Sequence, residues 1–436
     1  MVYGLWFMVY GLWFLGFWIC DLIFVIMQWV YNFIIKFYYF TIVCASPFNL
    51  KAKVWLEGRK NLIEKLKIAI GKNSNIIWFH CASLGEFEQG RPVIEAYRKI
   101  EPNHKTLLTF FSPSGYDIRK NYNGADWVFY LPLDTNKNVK QFLNIVKPQK
   151  VVFVKYEFWY NFLNQLHKNN VPVYLISAIF RKEQMFFKWY GSWYRKILKI
   201  FTHIFVQNEE SEILLKSINV NNVTIAGDTR FDRVYEIATN CKNISEVQEF
   251  SDGYRIIVIG SAWQQDEDVL IPFINKAPQN IKFIFAPHEI KESGLCRLEK
   301  NITIPIVRFS QAKQSNLKIA KVLVIDNVGM LSSLYKYGNI AYIGGGFGKG
   351  IHNILEAAVF GLPVVFGANY KKFSEAVNLI SEKGAFCINN AKELEHQFNE
   401  LLENETFYNN ASNIAKTFVE NRVGATKKIL ENIAGN

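Results

Sequence analysis

The sequence predicts two doubly wound α/β domains behind an apolar N-terminal segment. Short β-rich runs alternate with helical stretches along the body of the chain, the pattern of parallel strands joined by crossover helices. A polar stretch around Cys241–Gly253 divides these runs into two sets. The first 20 residues, Met1–Cys20, carry no charge at all. With 436 residues the chain exceeds one ordinary core, which favours two domains of about 200 residues each. The expected division is an anchoring segment 1–48, a first domain 49–240 and a second domain 241–436.

The N-terminal segment writes one phrase twice, MVYGLWF at Met1–Phe7 and again at Met8–Phe14. Met1–Cys20 has about the length needed to span a bilayer. A secretory signal would begin with basic residues and end at small ones; here the first charge is Asp21 and the chain stays bulky after it. Asp21 and Gln28 interrupt an apolar run that continues over Leu22–Ile35 to Lys36, followed by Phe37-Tyr38-Tyr39-Phe40. Such aromatic clusters settle at membrane interfaces, and the positive charge that follows (Lys51, Lys53, Arg59, Lys60, Lys65, Lys67) places the body on the cytoplasmic side. The reading is an uncleaved anchor, spanning the membrane or lying in its interface, with a buried core helix as the alternative.

Strands are expected at Ile76–Phe79, Thr106–Phe110, Trp127–Leu131, Val151–Val154, Val173–Ile176 and His203–Val206 in the first domain. In the second they are expected at Ile256–Ile259, Lys282–Phe285, Val322–Ile325, Ile340–Ile343 and Pro363–Phe366. Each is a short apolar run bounded by turn residues or helix caps. Ligands of such sheets bind at the carboxyl ends of the strands, here in a cleft expected between the domains. The net charge of +12 points to an acidic partner or to a solvated lysine-rich surface. The six cysteines lie far apart with no CxxC pair, so neither a disulfide framework nor a zinc site is expected. No nucleic-acid recognition motif is present.

Four stretches carry chemistry. In Tyr342–Gly367, a strand ends in Gly344, Gly345, Gly346, Gly348 and Gly350, and His352–Glu356 is expected to open a helix. Glycines let a backbone approach a phosphate or sugar closely, and Glu356 suits a ribose. Neither G-x-G-x-x-G nor a phosphate-loop pattern is in register. The plain alternative is a tight strand-to-helix turn. In Phe79–Pro92, Ser83-Leu84-Gly85-Glu86 sets a carboxylate at a strand-to-helix junction. It is either a helix cap or a general base, which a helix N-terminus would keep ionised. In Lys155–Phe162, Glu157 and Trp159 suit a sugar acceptor, or are a cap and a core ring. In Gly227–Asp232, Arg230 meets a phosphate or carboxylate, or pairs with a neighbouring Asp. His352 has no companions at ligand spacing, so no metal is assigned.

Taken together, these stretches resemble the 3-deoxy-D-manno-octulosonic acid (Kdo) transferases of lipopolysaccharide assembly, over about Phe40 to Gly424. The family's S-x-G-E is Ser83–Glu86, its T-P-T-G is Ser112–Gly115 and its L-P-x-D is Leu131–Asp134. E-x-E-x-W-P-N keeps Glu157, Trp159 and Asn161, with Lys155 and Tyr160 replacing Glu and Pro. G-N-x-K-F-D reads Gly227–Asp232, D-x-x-G-E-L reads Asp326–Leu331, and G-G-H-N-x-x-E reads Gly350–Glu356. The segment Leu50–Asn61 is similar to the family's basic entry segment.

The resemblance implies a GT-B fold of two Rossmann-like domains, metal-independent and inverting, with no cofactor. The implied donor is CMP-Kdo, and the implied acceptor is the lipid A precursor at the inner membrane, among membrane lipids. Glu86 would be the general base, with Glu157 and Arg230 steadying the transition state. Pro287, His288, Gly329, Met330, Leu331, Asn353, Ile354, Leu355 and Glu356 match the donor contacts, joined by Ser261 and Gly346. Ser83, Gly85, Trp159 and Arg59 fall to the acceptor. His288 stands where many members have Arg, which makes its phosphate contact weaker or pH-dependent. Nothing is carried over from the N-A-R-x-S segment, here Ser177–Arg181. The alternatives are a GT-B transferase of another nucleotide sugar and an inactive membrane-tethered binding protein.

Overall fold

A computed structural model describes residues 25–71 and 75–435, so the expected span Met1–Cys20 lies outside the described residues. The described residues of Met1–Thr229, with Gly424–Asn436, form one compact unit, and Arg230–Val423 forms the other. The sequence had set the division after residue 240. In the structure the chain passes between units at Thr229–Arg230, and the helix Ala425–Ile433 returns to the first unit. There Ile429 and Ile433 are buried beside Phe79 and Val152.

The first unit holds a seven-stranded sheet. Its strands are β1 (Ile76–Cys81), β2 (Lys105–Phe110), β3 (Trp127–Tyr130), β4 (Lys150–Val154), β5 (Val173–Ala178), β6 (His203–Val206) and β7 (Val223–Ile225), in the order β3-β2-β1-β4-β5-β6-β7. The second unit holds β8 (Arg255–Ala262), β9 (Ile281–Pro287), β10 (Ile306–Arg308), β11 (Val322–Val324), β12 (Ile340–Ile343), β13 (Val364–Gly367) and β14 (Ala385–Ile388), in the order β10-β11-β9-β8-β12-β13-β14. Every strand pair in both sheets is parallel. Central strands such as β1 and β4 read as unbroken apolar runs because helices cover both faces. All eleven expected strands are present. The three that were not expected, β7, β10 and β14, lie at sheet edges and have three or four residues each. Edge strands are half exposed, so they leave no continuous apolar run to read.

The helix Val25–Ala45 has two faces. On one, Ile35 is buried and Tyr31 packs on Tyr160 and Trp193. The Tyr31 hydroxyl donates to the Asp134 carboxylate at 2.6 Å, which also accepts the backbone N–H groups of Asn161 and Phe162, both at 2.9 Å. The Asn161 amide bridges the Asp134 carbonyl, at 2.6 Å, and the Asn32 side chain, at 2.9 Å. Burial raises the Asp134 pKa to about 6 against the opposing pull of these hydrogen bonds. On the other face, Trp29 (75% exposed), Phe33, Phe37 and Phe40 meet solvent. Among the described residues no single helix is long and apolar enough to cross a membrane. Val25–Ala45 and Leu50–Glu57 reach that threshold only as a pair bent by 119°. Neither a free spanning helix nor a core helix describes this element, since one side is docked and the other bare.

Replacing Tyr31 with Phe removes one donor to a buried carboxylate. We expect a loss of about 1–2 kcal/mol in denaturant unfolding of the first unit. Protease cleavage within 25–45 should rise with it. Unchanged midpoint and cleavage would show that the helix docks without this bond.

Candidate active site

In the first sheet the chain order reverses between β1 and β4, and ligands of such sheets sit outside the carboxyl ends at that reversal. The loops leaving these two strands carry Glu86 and Glu157. Ser83 caps the helix Leu84–Ile100, its Oγ accepting the Gly85 N–H at 3.2 Å, and its hydroxyl donates to the Glu86 carboxylate. Ser83, not Glu86, is therefore the cap; Glu86 lies in the first turn and stays partly exposed, with Gly85 exposed beside it.

Glu157 is 7% exposed and held by two N–H donors, His80 Nε2 at 2.9 Å and Trp159 Nε1 at 2.5 Å. His80 is fully buried in β1. Its Nδ1 lies 2.8 Å from Thr109 Oγ1, which accepts the Trp78 indole N–H at 2.7 Å. With His80 carrying its proton on Nε2, Nδ1 accepts the Thr109 hydroxyl; the Thr109 carbonyl also lies 3.1 Å from Nδ1. The relay runs Trp78, Thr109, His80, Glu157. Sequence reasoning missed His80 and Thr109; the available signal was a histidine and a threonine inside otherwise apolar strands. Trp159 spends its indole N–H on Glu157 and packs on Phe111 at 4.7 Å. Arg59 is turned inward. Its guanidinium donates to the carbonyls of Leu131 (2.9 Å), Phe111 (2.7 Å) and Trp55 (3.2 Å) and stacks on Trp55. These bonds staple the entry segment to the ends of β2 and β3.

In the second sheet the reversal lies between β8 and β12. Ser261 ends β8, Pro287–His288 end β9, Gly329–Leu331 follow β11, and Gly346 and Asn353–Glu356 follow β12. The donor residues expected from sequence therefore gather at the carboxyl ends of four neighbouring strands, β11-β9-β8-β12. Glu356 accepts the Ser332 hydroxyl at 2.7 Å and the Asn353 amide at 3.1 Å. Ile354 and Leu355 are fully buried and pack into the core beneath the loop. The helix begins at Leu355, not His352, and has four residues.

The glycines answer first to packing. A Cβ on Gly344 would lie 2.2 Å from the Ser261 carbonyl, and one on Gly346 would lie 2.4 Å from the Gly367 nitrogen. Gly345 sits at φ +91°. Asp266, which sequence reasoning missed, ties this loop down. Its buried carboxylate accepts Gly345 N–H, Trp263 N–H and the Tyr342 hydroxyl, each at 2.8 Å.

Trp263, His288 and His352 form a three-ring stack with His288 in the middle, at centroid distances of 4.0 and 4.4 Å. The Trp263 N–H donates to His352 Nε2 at 3.1 Å. Burial and the neighbouring His288 lower the His352 pKa to about 4, and burial also lowers that of His288. Arg230 pairs with the buried Glu375 at 2.7 Å.

Two parallel α/β units, with ionisable groups gathered at the strand ends of each reversal, define a fold of GT-B type. Among solved structures, UDP-GlcNAc 2-epimerase from Neisseria meningitidis shares this fold with a TM-score of 0.56 and 17% identity, covering 83% of this chain and 100% of that one. The sequence model of the family described as 3-Deoxy-D-manno-octulosonic-acid transferase (kdotransferase) matches residues 57–233. The 3-deoxy-D-manno-octulosonic acid transferase of Aquifex aeolicus is 29% identical over 333 residues, 75% of this chain and 86% of that protein. The transferase of the same description from Rickettsia prowazekii is 25% identical over 85% of this chain and 81% of its own length. That of Haemophilus influenzae is 24% identical over 81% and 86%. Over most of its length the chain is thus similar to Kdo transferases, glycosyltransferases that act in lipopolysaccharide biosynthesis.

Neutral stacked imidazoles make a weak anion site that protonation strengthens. A bound phosphate favours the charged His288, so affinity for CMP should rise as pH falls from 7.5 to 6. His288→Asn should flatten the profile. Calorimetric titration of both proteins, taken as a difference, removes the ligand's own protonation; identical slopes would exclude His288 from the phosphate contact.

Proposed function

We propose that this protein transfers Kdo from CMP-Kdo to a primary hydroxyl of a phosphorylated disaccharide lipid A precursor (lipid IVA), with inversion, at the cytoplasmic face of the inner membrane. The observation that carries this reading is the position of Glu86. It is a partly exposed carboxylate on the loop leaving β1, beside the chain reversal of the first sheet.

Glu86 takes the proton of the acceptor hydroxyl as its oxygen attacks the anomeric carbon of Kdo. The bond from that carbon to the CMP phosphate oxygen breaks, and CMP leaves with the electron pair. One displacement from the opposite side inverts the centre. Ser83 orients Glu86 through its hydroxyl. Glu157, fixed by His80 and Trp159, supplies a steady negative charge that favours an oxocarbenium-like transition state. The departing phosphate is met by His288 and Arg230, without a metal. Asn353 and Glu356, already bonded to each other and to Ser332, suit the cytidine ribose.

The membrane side of the proposal rests on the bare face of Val25–Ala45. Aromatic side chains at 29, 33, 37 and 40, followed by lysines, suit an element lying in the headgroup layer of an anionic bilayer. A lipid-borne acceptor is presented at that surface.

Glu86→Gln should retain CMP binding and lose roughly 100-fold or more in turnover, the scale of a lost general base. Product lipid measured by mass spectrometry from CMP-Kdo and lipid IVA checks this. A variant rate near that of the parent would remove Glu86 from the chemistry, and no product from the parent would remove the acceptor assignment.

A further inference from the structure

Beside the docked face of Val25–Ala45 lies a cavity of ≈ 620 Å³ in the first unit. Lys36, Arg59 and Lys60 line it, against one carboxylate, Glu64, with Tyr39 and Trp55 among its apolar walls. A second cavity, of ≈ 590 Å³, is lined by Trp29 and Phe33 and shares Lys36 and Thr135 with the first. A basic lobe and an apolar lobe thus meet at Lys36.

Three observations say what fills them. Neither Lys36 nor Lys60 enters an ion pair among the described residues, so both ammonium groups lack a counter-charge. Among the described residues the buried Trp55 indole N–H finds no acceptor, and a buried donor left unpaired calls for one. The apolar lobe continues into the exposed face carrying Phe37 and Phe40.

We infer that the paired cavities hold one anionic glycerophospholipid of the bilayer. Its phosphate lies between Lys36 and Lys60, an ester oxygen accepts the Trp55 N–H, and an acyl chain runs along Trp29 and Phe33. A free phosphate would leave the apolar lobe wet, whereas a lipid satisfies both lobes at once. The lipid is a fixed ligand that clamps the helix to the membrane surface. This inference rests on the membrane-surface reading given above.

The test uses the full chain. Native mass spectrometry of detergent-purified protein, re-supplied with phosphatidylglycerol or phosphatidylcholine, reads the bound lipid, and flotation with phosphatidylglycerol vesicles reads membrane association. The parent should retain one phosphatidylglycerol in preference to phosphatidylcholine. Lys36→Ala/Lys60→Ala should retain it about thirty-fold less well, the effect of two lysines at a membrane surface. Trp55→Phe, which keeps the ring and loses the N–H, should also weaken retention. Phe37→Gln/Phe40→Gln, which adds no charge beside Lys36, should weaken flotation more than it weakens lipid retention. Equal retention by the parent and the double-lysine variant would overturn the lipid site while leaving the membrane reading standing. Displacement of the lipid by inorganic phosphate or by lipid IVA alone would overturn it too, in favour of a phosphate or acceptor subsite. Failure of the parent to float would instead remove the membrane reading on which the inference rests.

Discussion

Both units rest on sheets whose strands all run one way, and that constraint decides where chemistry can sit. Parallel strands deliver every outgoing loop to the same edge, and the reversal of chain order separates two of those loops enough to admit a ligand. In the first unit the separated loops are those after β1 and β4, which carry Glu86 and Glu157. In the second they follow β8 and β12, which bring Ser261 and the glycine loop side by side. Motifs 71 residues apart in the first unit (Glu86 and Glu157) and 83 in the second (Ser261 and Gly344) become neighbours because strand order, not chain order, sets distance.

Within each unit a buried carboxylate fixes the loop geometry. Asp266 draws Gly345, Trp263 and Tyr342 onto one side chain, so the glycine loop is tied through Gly345 to the ends of β8 and β12. Glu157 plays a related part between His80 and Trp159. Groups arranged in advance need not reorganise when charge develops, which is where electrostatic catalysis draws its advantage. The cost is desolvation of the carboxylate, offset here because each is surrounded by N–H and O–H donors.

The fold was legible because central parallel strands are continuous apolar runs, and the runs at Ile76, Val151, Ile256 and Ile340 are unmistakable. The edge strands β7, β10 and β14 were not, since a three- or four-residue half-exposed strand has no periodicity to detect. Most candidate site residues could be placed because their motifs end strands. What could not be read was whether a side chain serves ligand or fold. Arg59 stood in a basic segment and turned inward onto three carbonyls. Gly344 and Gly346 suggested a phosphate and meet neighbouring backbone instead. His80, Asp266 and Trp263 carry no motif of their own, and their partners Glu157, Gly345 and His352 lie tens of residues away in sequence.

The motif Lys155–Asn161 joins two jobs that sequence alone keeps apart. Its Glu157 and Trp159 form the carboxylate site, while the next two residues grip the N-terminal helix. Tyr160 N–H lies 3.2 Å from the Tyr31 hydroxyl, and the Asn161 amide reaches Asn32. Asp134, from the neighbouring motif, closes the knot by accepting from Tyr31, Asn161 and Phe162 together. One turn of chain therefore registers the aromatic helix against the carboxyl edge of the sheet. A helix shifted by one turn would strand Asp134 among unmatched donors and pull on the segment that orients Trp159, and through it Glu157. The docked N-terminal helix and the Glu157 carboxylate therefore share a single joint, which explains why so polar a cluster is worth burying.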